Sequence, residues 1–219
     1  MVFAIPGTGS RPVHGRDDVL GVVLAGGAGE RVGGADKGLL PLGGRPLIEH
    51  VLQHLRPQCD RFLITANRHF DDYADYAPVV HDENGGHAGP LAGLVAAFGF
   101  LEANRHALPR WVLTAPVDCP DPPPNLASSL RAALMNSGTT RCACVHCARR
   151  MQPLFALYRI DGETGAWRAS AQNALREHGS TMRWLSEMSA IAVDFEDAGE
   201  AFHNLNTPMD FRDYERAHG

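Results

Sequence analysis

Eight of the chain's 23 glycines fall within residues 26–44, GGAGERVGGADKGLLPLGG, directly after the apolar run at residues 20–25 (LGVVLA). Glycine lets backbone N–H groups approach a ligand with no side chain in the way. A loop of this kind at a strand end is therefore a candidate phosphate cradle. The stretch carries two cations, Arg31 and Lys37, and a lysine is a compact point charge suited to a phosphate. Two familiar phosphate loops are excluded. A P-loop requires Ser or Thr after its lysine, whereas Gly38 follows Lys37. The dinucleotide fingerprint, counted from Gly27, meets Val32 where Gly or Ala is needed, and the next helical pattern begins only near Pro46. The competing reading is a plain surface loop, but loops longer than about 12 residues are usually functional or disordered. A second candidate is Asp118, which ends the apolar run at residues 111–117 (WVLTAPV) and stands between Pro116 and Pro120. Mg2+ takes one or two carboxylates together with phosphate oxygens and water, a role that fits Asp118; the competing role is a cap on the following turn.

These residues need a scaffold, and the hydrophobic pattern supplies one. The run 20–25 reads as a buried strand entering a tight loop, and Leu47, Val51 and Leu55 share one face of a helix opened by Pro46 at its first turn. Strands are expected again at 61–66, 79–81 and 111–117, with helices at 90–102 and from the prolines at 122–124 to Met135. The alternation implies an α/β fold, a Rossmann-like, mostly parallel sheet with helices on both faces, in which ligands bind at the carboxyl ends of the strands. From residue 142 the rhythm changes. Residues 142–146 and 153–160 read as an antiparallel pair, followed by helices at 164–176 and near Trp184, a strand at 190–195, and a last helix entered through Thr207, Pro208 and Asp210.

Composition narrows the function classes. With 219 residues, 44% hydrophobic and 21% charged, the chain has the make-up of a globular domain with a real core. A net charge of −5 argues against a general nucleic-acid binder, and no apolar run approaches the roughly 20 residues that span a bilayer. The first 19 residues are expected to be an irregular tail without a secretory signal. Five cysteines, an odd number in a chain this long, do not suggest a disulfide framework, so a cytoplasmic setting is expected. Cys142, Cys144 and Cys147, with His146 among them, invite a zinc reading; they lack a second CxxC pair, and the alternation of Cys142 and Cys144 fits structural strand residues better.

The run LAGGAGERVGGADKGLLPLGGRPLIEHV resembles the signature of the molybdenum cofactor guanylyltransferases, a nucleotidyltransferase family, with Val32 in place of the usual methionine. Further blocks follow in order: TANR (65–68), HDEN (81–84), GPLAGL (89–94), PVDCP (116–120), QPLFAL (152–157) and FHNLNTP (202–208). The resemblance covers residues 20–218. It implies a single nucleotidyltransferase domain with a nucleotide-binding half at 20–135 and a second-substrate half at 136–218. It further implies transfer of GMP from GTP to the terminal phosphate of molybdopterin, with release of pyrophosphate. Leu24, Ala25, Gly26, Gly27 and Lys37 would form the GTP site, Asn67 and Asp82 would recognise the nucleotide, and Asp118 would bind Mg2+. Asp can accept two hydrogen bonds from the N1–H and 2-amino edge of guanine, and Asn can serve base or ribose; which group faces the base is left open. Asn204 and Asn206 would contribute on the pterin-phosphate side, with their amides on one face of an extended segment, or else form Asx turns before the last helix. Arg31 could hold the pterin phosphate as a bidentate fork. Where relatives show arginines after residue 176, this chain has Ser180, Thr181 and Arg183. A cytidylyl- or sugar-phosphate nucleotidyltransferase and a non-catalytic nucleotide-binding regulator are the alternatives. Transient contacts with cofactor-biosynthesis proteins or apo-molybdoenzymes are a further expectation.

Overall fold

The computed structural model describes residues 18–26, 36–82 and 89–218. The expected tail up to residue 17, Gly27 and Arg31 of the loop, and the end of the HDEN block lie outside the described residues. Strand β1 (Val19–Leu24) is followed by a short 3-10 turn (Lys37–Leu39), a two-residue hairpin of β2 (Pro41–Leu42) and β3 (Arg45–Pro46), and α1 (Leu47–Leu55). Then come β4 (Arg61–Thr65), α2 (Phe70–Ala74), β5 (Val79–Val80), α3 (Pro90–Ala103), β6 (Trp111–Pro116) and α4 (Leu126–Ser137). The second half holds β7 (Cys142–Cys147), β8 (Arg150–Arg159), α5 (Thr164–Glu177), α6 (Thr181–Glu187), β9 (Ile191–Asp194) and α7 (Pro208–His218).

The main sheet has seven strands in the order β5-β4-β1-β6-β8-β7-β9. β8 runs antiparallel to both of its neighbours, and the remaining pairs are parallel. The expected mostly parallel, mixed sheet is what the chain builds, with β7 and β8 as the antiparallel pair.

Strand alternation splits the core into two layers. Val19 and Val23 join Ile48, Val51, Leu55, Leu126 and Leu130 on the face covered by α1 and α4. Leu20, Val22 and Leu24 join Leu91, Phe98, Trp167 and Trp184 on the face covered by α3, α5 and α6. Phe98, Tyr158, Trp167 and Trp184 pack ring to ring in that second layer, with centroids between 5.3 and 6.4 Å apart. A third, small cluster of Leu42, Leu47, Leu205 and Phe211 fastens α7 over the β2–β3 hairpin.

Three local features depart from the sequence expectations. The glycine-rich stretch is not a featureless loop as far as Pro46: Gly43 and Gly44, at φ 57° and 79°, close the β2–β3 hairpin, a turn whose two central residues both need positive φ. The chain's own path accounts for those two glycines. Pro46 stands at the N-cap of α1, with φ −56° and ψ 144°, and not in its first turn, because it still pairs with Pro41 as the last residue of the hairpin. The five-residue α2 falls where no helix was expected, being too short to show a helical period.

Candidate active site

Parallel register brings the candidate residues to one sheet edge. Val80 pairs with Thr65, Thr65 with Leu24, and Leu24 with Pro116. Two residues beyond the members of that row stand Asp82, Asn67, Gly26 and Asp118. Backbone bonds extend the alignment past the strands, from Ala66 N–H to Val80 O (3.0 Å), Ala25 N–H to Thr65 O (2.8 Å) and Val117 N–H to Leu24 O (3.1 Å). With strands roughly 4.8 Å apart, the row from Asp82 to Asp118 spans about 14 Å. A ligand lying across the carboxyl ends of these strands meets all four residues in that order.

At one end, Asn67 and Asp82 hold each other. Asn67 Nδ2 donates to Asp82 Oδ2 at 3.2 Å, and the Asp82 backbone N–H returns a bond to Asn67 Oδ1 at 3.2 Å. Asn67 Nδ2 also lies 3.5 Å from the Gly26 carbonyl oxygen. The Asp82 carboxylate is buried and is oriented by its partner.

At the other end, the Lys37 ammonium donates to Asp118 Oδ2 at 3.1 Å and to Asn206 Oδ1 at 2.7 Å. Asp118 is not the turn cap of the competing reading, since its Oδ2 faces Lys37. Nor do the asparagines make Asx turns. The Asn206 and Thr207 N–H groups are taken by the Asp210 carboxylate at 2.7 Å each, while Thr207 Oγ1 accepts from Asp210 N–H at 3.2 Å, a reciprocal cap on α7. Leu205 is buried between the two asparagines, and its N–H donates to Asp118 O at 2.8 Å. The segment is thereby tied to the end of β6, with both amides facing the site side as its extended spacing implies.

Asn204 is oriented by a residue that sequence reasoning missed. The Cys119 thiol donates to Asn204 Oδ1 at 2.9 Å. Burial first, and then the neighbouring Asp118 charge, push this thiol well above its ordinary range, so it remains a donor. No spacing signal links Cys119 to Asn204, which meet where the bond from Leu205 to Asp118 ties the two segments together.

A cation fits the Lys37 end of the row. Asp118 Oδ2 and Asn206 Oδ1 already converge on one positive charge, the Lys37 ammonium, and a carboxylate plus an amide oxygen is a hard donor set of the sort Mg2+ accepts. The three cysteines of the zinc reading do not converge, and His146 turns instead to Asp194 and Glu196, at 3.2 and 3.7 Å. Cys142 and Cys144 are buried in the α3/α5/α6 layer and Cys147 in the α1/α4 layer, and all five cysteines are free. The second half offers no basic pair at the GSTMRW block: Ser180 Oγ caps α6 by accepting from Arg183 N–H at 3.2 Å, and the Arg183 guanidinium pairs with Glu187 at 2.8 Å.

Comparison with known proteins places this arrangement. The family model of the MobA-like NTP transferase domain matches residues 21–190. A molybdenum cofactor guanylyltransferase of Shewanella loihica is 35% identical over 190 residues, covering 85% of this chain and 90% of its relative. That of Vibrio cholerae is 33% identical over 213 residues, 96% and 98% of the two chains. Among solved structures, the molybdopterin-guanine dinucleotide biosynthesis protein A of Archaeoglobus fulgidus superimposes with a TM-score of 0.67 at 23% identity, covering 90% of this chain and 97% of that one. A 2-C-methyl-D-erythritol 4-phosphate cytidylyltransferase of Thermus thermophilus shares the fold at a TM-score of 0.59 and 19% identity. The protein whose sheet edge carries Asp82, Asn67, Gly26 and Asp118 belongs to the MobA-like NTP transferase family.

Proposed function

We propose that the chain transfers GMP from GTP to the terminal phosphate of molybdopterin, forming the guanine dinucleotide cofactor and pyrophosphate. The observation that carries this reading is the aligned row itself: a buried, oriented Asp82 carboxylate at one end and a lysine held by Asp118 and Asn206 at the other. A guanine base with N1–H and 2-amino donors suits the first end, and polyphosphate suits the second. The guanylyltransferase names of relatives that span nearly the whole chain favour GTP over the cytidylyl and sugar-phosphate alternatives. Likeness to the cytidylyltransferase extends only to the fold.

In this reading an oxygen of the molybdopterin phosphate attacks the α-phosphorus of GTP. The bond from that phosphorus to the oxygen bridging it to the β-phosphate breaks, and pyrophosphate leaves with the bonding electrons. Every participant is an anion, so the protein's contribution is positioning and charge. Lys37 faces the phosphates and offsets their repulsion. Asp118 and Asn206 hold Lys37 in place, and the Asp118 carboxylate, whose Oδ1 is not taken by Lys37, would help ligate Mg2+; when bound, the ion would polarise the phosphoryl oxygens and neutralise charge on the leaving group. Asn67 keeps the Asp82 carboxylate turned toward the base. Arg31, by the family resemblance, would hold the pterin phosphate.

The substrates are thus small anions. Among the described residues no helix is long and apolar enough to cross a membrane, and the net charge of −5 gives no footprint for nucleic acid. A cytoplasmic location and transient handover to apo-molybdoenzymes belong to the same proposal. The test is a panel of GTP, CTP, ATP and UTP with Mg2+, with released pyrophosphate as the readout, with and without molybdopterin. Release that needs both GTP and molybdopterin is expected; equal release with CTP would overturn the assignment of the base.

A further inference from the structure

The turn that carries Lys37 is gripped by a residue outside the row. Tyr73, on α2, is fully buried, and its hydroxyl donates to Asp36 Oδ1. The same oxygen accepts from the Gly38 N–H at 3.1 Å, making Asp36 the side-chain cap of the turn Lys37–Leu39. One carboxylate oxygen therefore joins α2 to the residues on either side of Lys37. Packing adds a second constraint. A Cβ at position 38 would lie 2.2 Å from the Tyr73 hydroxyl oxygen and 2.9 Å from Val117 Cγ2, so the glycine is what lets the turn sit between Tyr73 and the residue before Asp118. Burial, and then the bond to Asp36, push the Tyr73 hydroxyl well above its ordinary range; it stays a donor at any working pH.

The ring and the hydroxyl of Tyr73 have separable roles. The ring fills space in the layer beneath α1 and α4, where phenylalanine would serve equally. The hydroxyl reaches a buried carboxylate that would lose a hydrogen-bond donor without it.

We propose that Tyr73 is a positioning residue for Lys37: its hydroxyl fixes Asp36, Asp36 fixes the turn, and the turn sets the ammonium against Asp118, Asn206 and the incoming triphosphate. This rests on the reading of Lys37 as the phosphate cation, so the experiment separates the two. Tyr73→Phe, Lys37→Met and the double variant are titrated calorimetrically with GTP and with guanosine, in the presence of Mg2+, and their thermal unfolding midpoints are recorded. Tyr73→Phe is expected to weaken GTP about tenfold, the scale of one hydrogen bond to a charged group, and to leave guanosine, which has no phosphates, unchanged. Added to Lys37→Met, it should change GTP affinity less than about twofold, because the pair acts as one unit. Equal weakening in both backgrounds, weakening of guanosine to the same extent as GTP, or wild-type affinity in Tyr73→Phe would each overturn the positioning role. Wild-type GTP affinity in Lys37→Met would overturn the phosphate reading instead. Should Tyr73→Phe fail to fold, Asp36→Ala, which removes the oxygen that accepts from both Tyr73 and Gly38, carries the same cycle with the same expected pattern.

Discussion

The Lys37 ammonium lies 3.1 Å from Asp118 Oδ2, a residue 81 positions further along the chain. Both side chains are only about one-fifth exposed, at 20% and 18%, so the pair is screened less by salt than a surface bridge. The contact joins the capped turn after β1 to the loop after β6, two adjacent parallel strands of the mixed sheet. Asn206 completes it from a third segment, 169 residues away from Lys37. Three stretches of sequence thus meet at the β6 end of the row of strand ends.

Asp118→Asn tests the most direct consequence. The change keeps shape and removes the charge that faces Lys37 and would ligate Mg2+. Turnover with GTP and molybdopterin is expected to fall about 100- to 1,000-fold, the scale on which one preorganised electrostatic partner acts. Thermal stability should change little, since this partly exposed side chain contributes little to the core. Near-normal turnover in a pyrophosphate-release assay would remove Asp118 from the site.

Asp210 tests the segment that carries Asn206. Burial works to raise its carboxyl, but the hydrogen bonds from the Thr207 and Asn206 N–H groups outweigh it and hold the group below its usual range. A carboxyl lowered in the folded state stabilises the protein fully above the unfolded value, near 3.9, and that contribution is lost as pH falls through the folded value. Asp210→Ala is expected to cost about 1 kcal/mol in denaturant unfolding at neutral pH, as for other lost caps, and to flatten the acid limb of the stability profile. An unchanged acid limb would show that Asp210 does not cap α7.

Much of this arrangement can be read before folding, and the divide has physical causes. Long apolar runs such as residues 20–25 and 111–117 announce buried strands because a parallel strand is covered on both faces. Once the strands are placed, the residues just past their ends are candidate ligands, which is how Asp118 stands out; Lys37 is marked by the glycines around it, and Asn67 and Asp82 by the family resemblance. Several short elements escape, although β5 is expected: α2 has five residues and β2 and β3 two each, too few for any period to register. The Gly43–Gly44 pair was a hairpin signal, hidden because the glycines around it pointed to a ligand. Tertiary partners escape for another reason. The bonds from Cys119 to Asn204 and from Tyr73 to Asp36 depend on how distant segments cross, which no local spacing encodes. Assigning the asparagines to the pterin-phosphate side from the resemblance also gave no hint that Asn206 shares Lys37 with Asp118.

The cysteines carry their own test. Burial pushes the thiols of Cys59, Cys142 and Cys144 up to about 12, with the Asp60 charge adding to the effect at Cys59. Burial also raises Cys119 and Cys147. A thiol that keeps its proton when folded and loses it near pH 9 when unfolded makes stability fall as pH rises between those two values. None of the five is expected to react with a thiol-specific chromogenic disulfide at pH 8 until denaturant is added, and the unfolding midpoint should decline from pH 9 toward pH 12. Rapid reaction of one thiol in the native protein would contradict its burial.

Base selection is the sharpest test of the opposite end. If Asp82 accepts from the N1–H and 2-amino groups, GTP should bind more tightly than inosine triphosphate, which lacks the amino group, and Asp82→Asn should erase most of that preference. The amide loses one acceptor and gains a donor, and a site built to hydrogen-bond a group discriminates through the unpaired atoms it leaves behind. A loss of about 10- to 100-fold in GTP affinity is expected, from one charge-assisted hydrogen bond. Asp82→Asn also disturbs the bond from Asn67 Nδ2 to Asp82 Oδ2, so the exchange variant Asn67→Asp/Asp82→Asn is the necessary companion. It restores a donor–acceptor pair between the two positions while moving the charge one strand along the row. Should the exchange variant recover stability but not the preference for GTP over inosine triphosphate, the base contact belongs to the carboxylate at position 82. If it recovers both, the preference comes from the pair's geometry, and the assignment of Asp82 as the group that reads guanine fails.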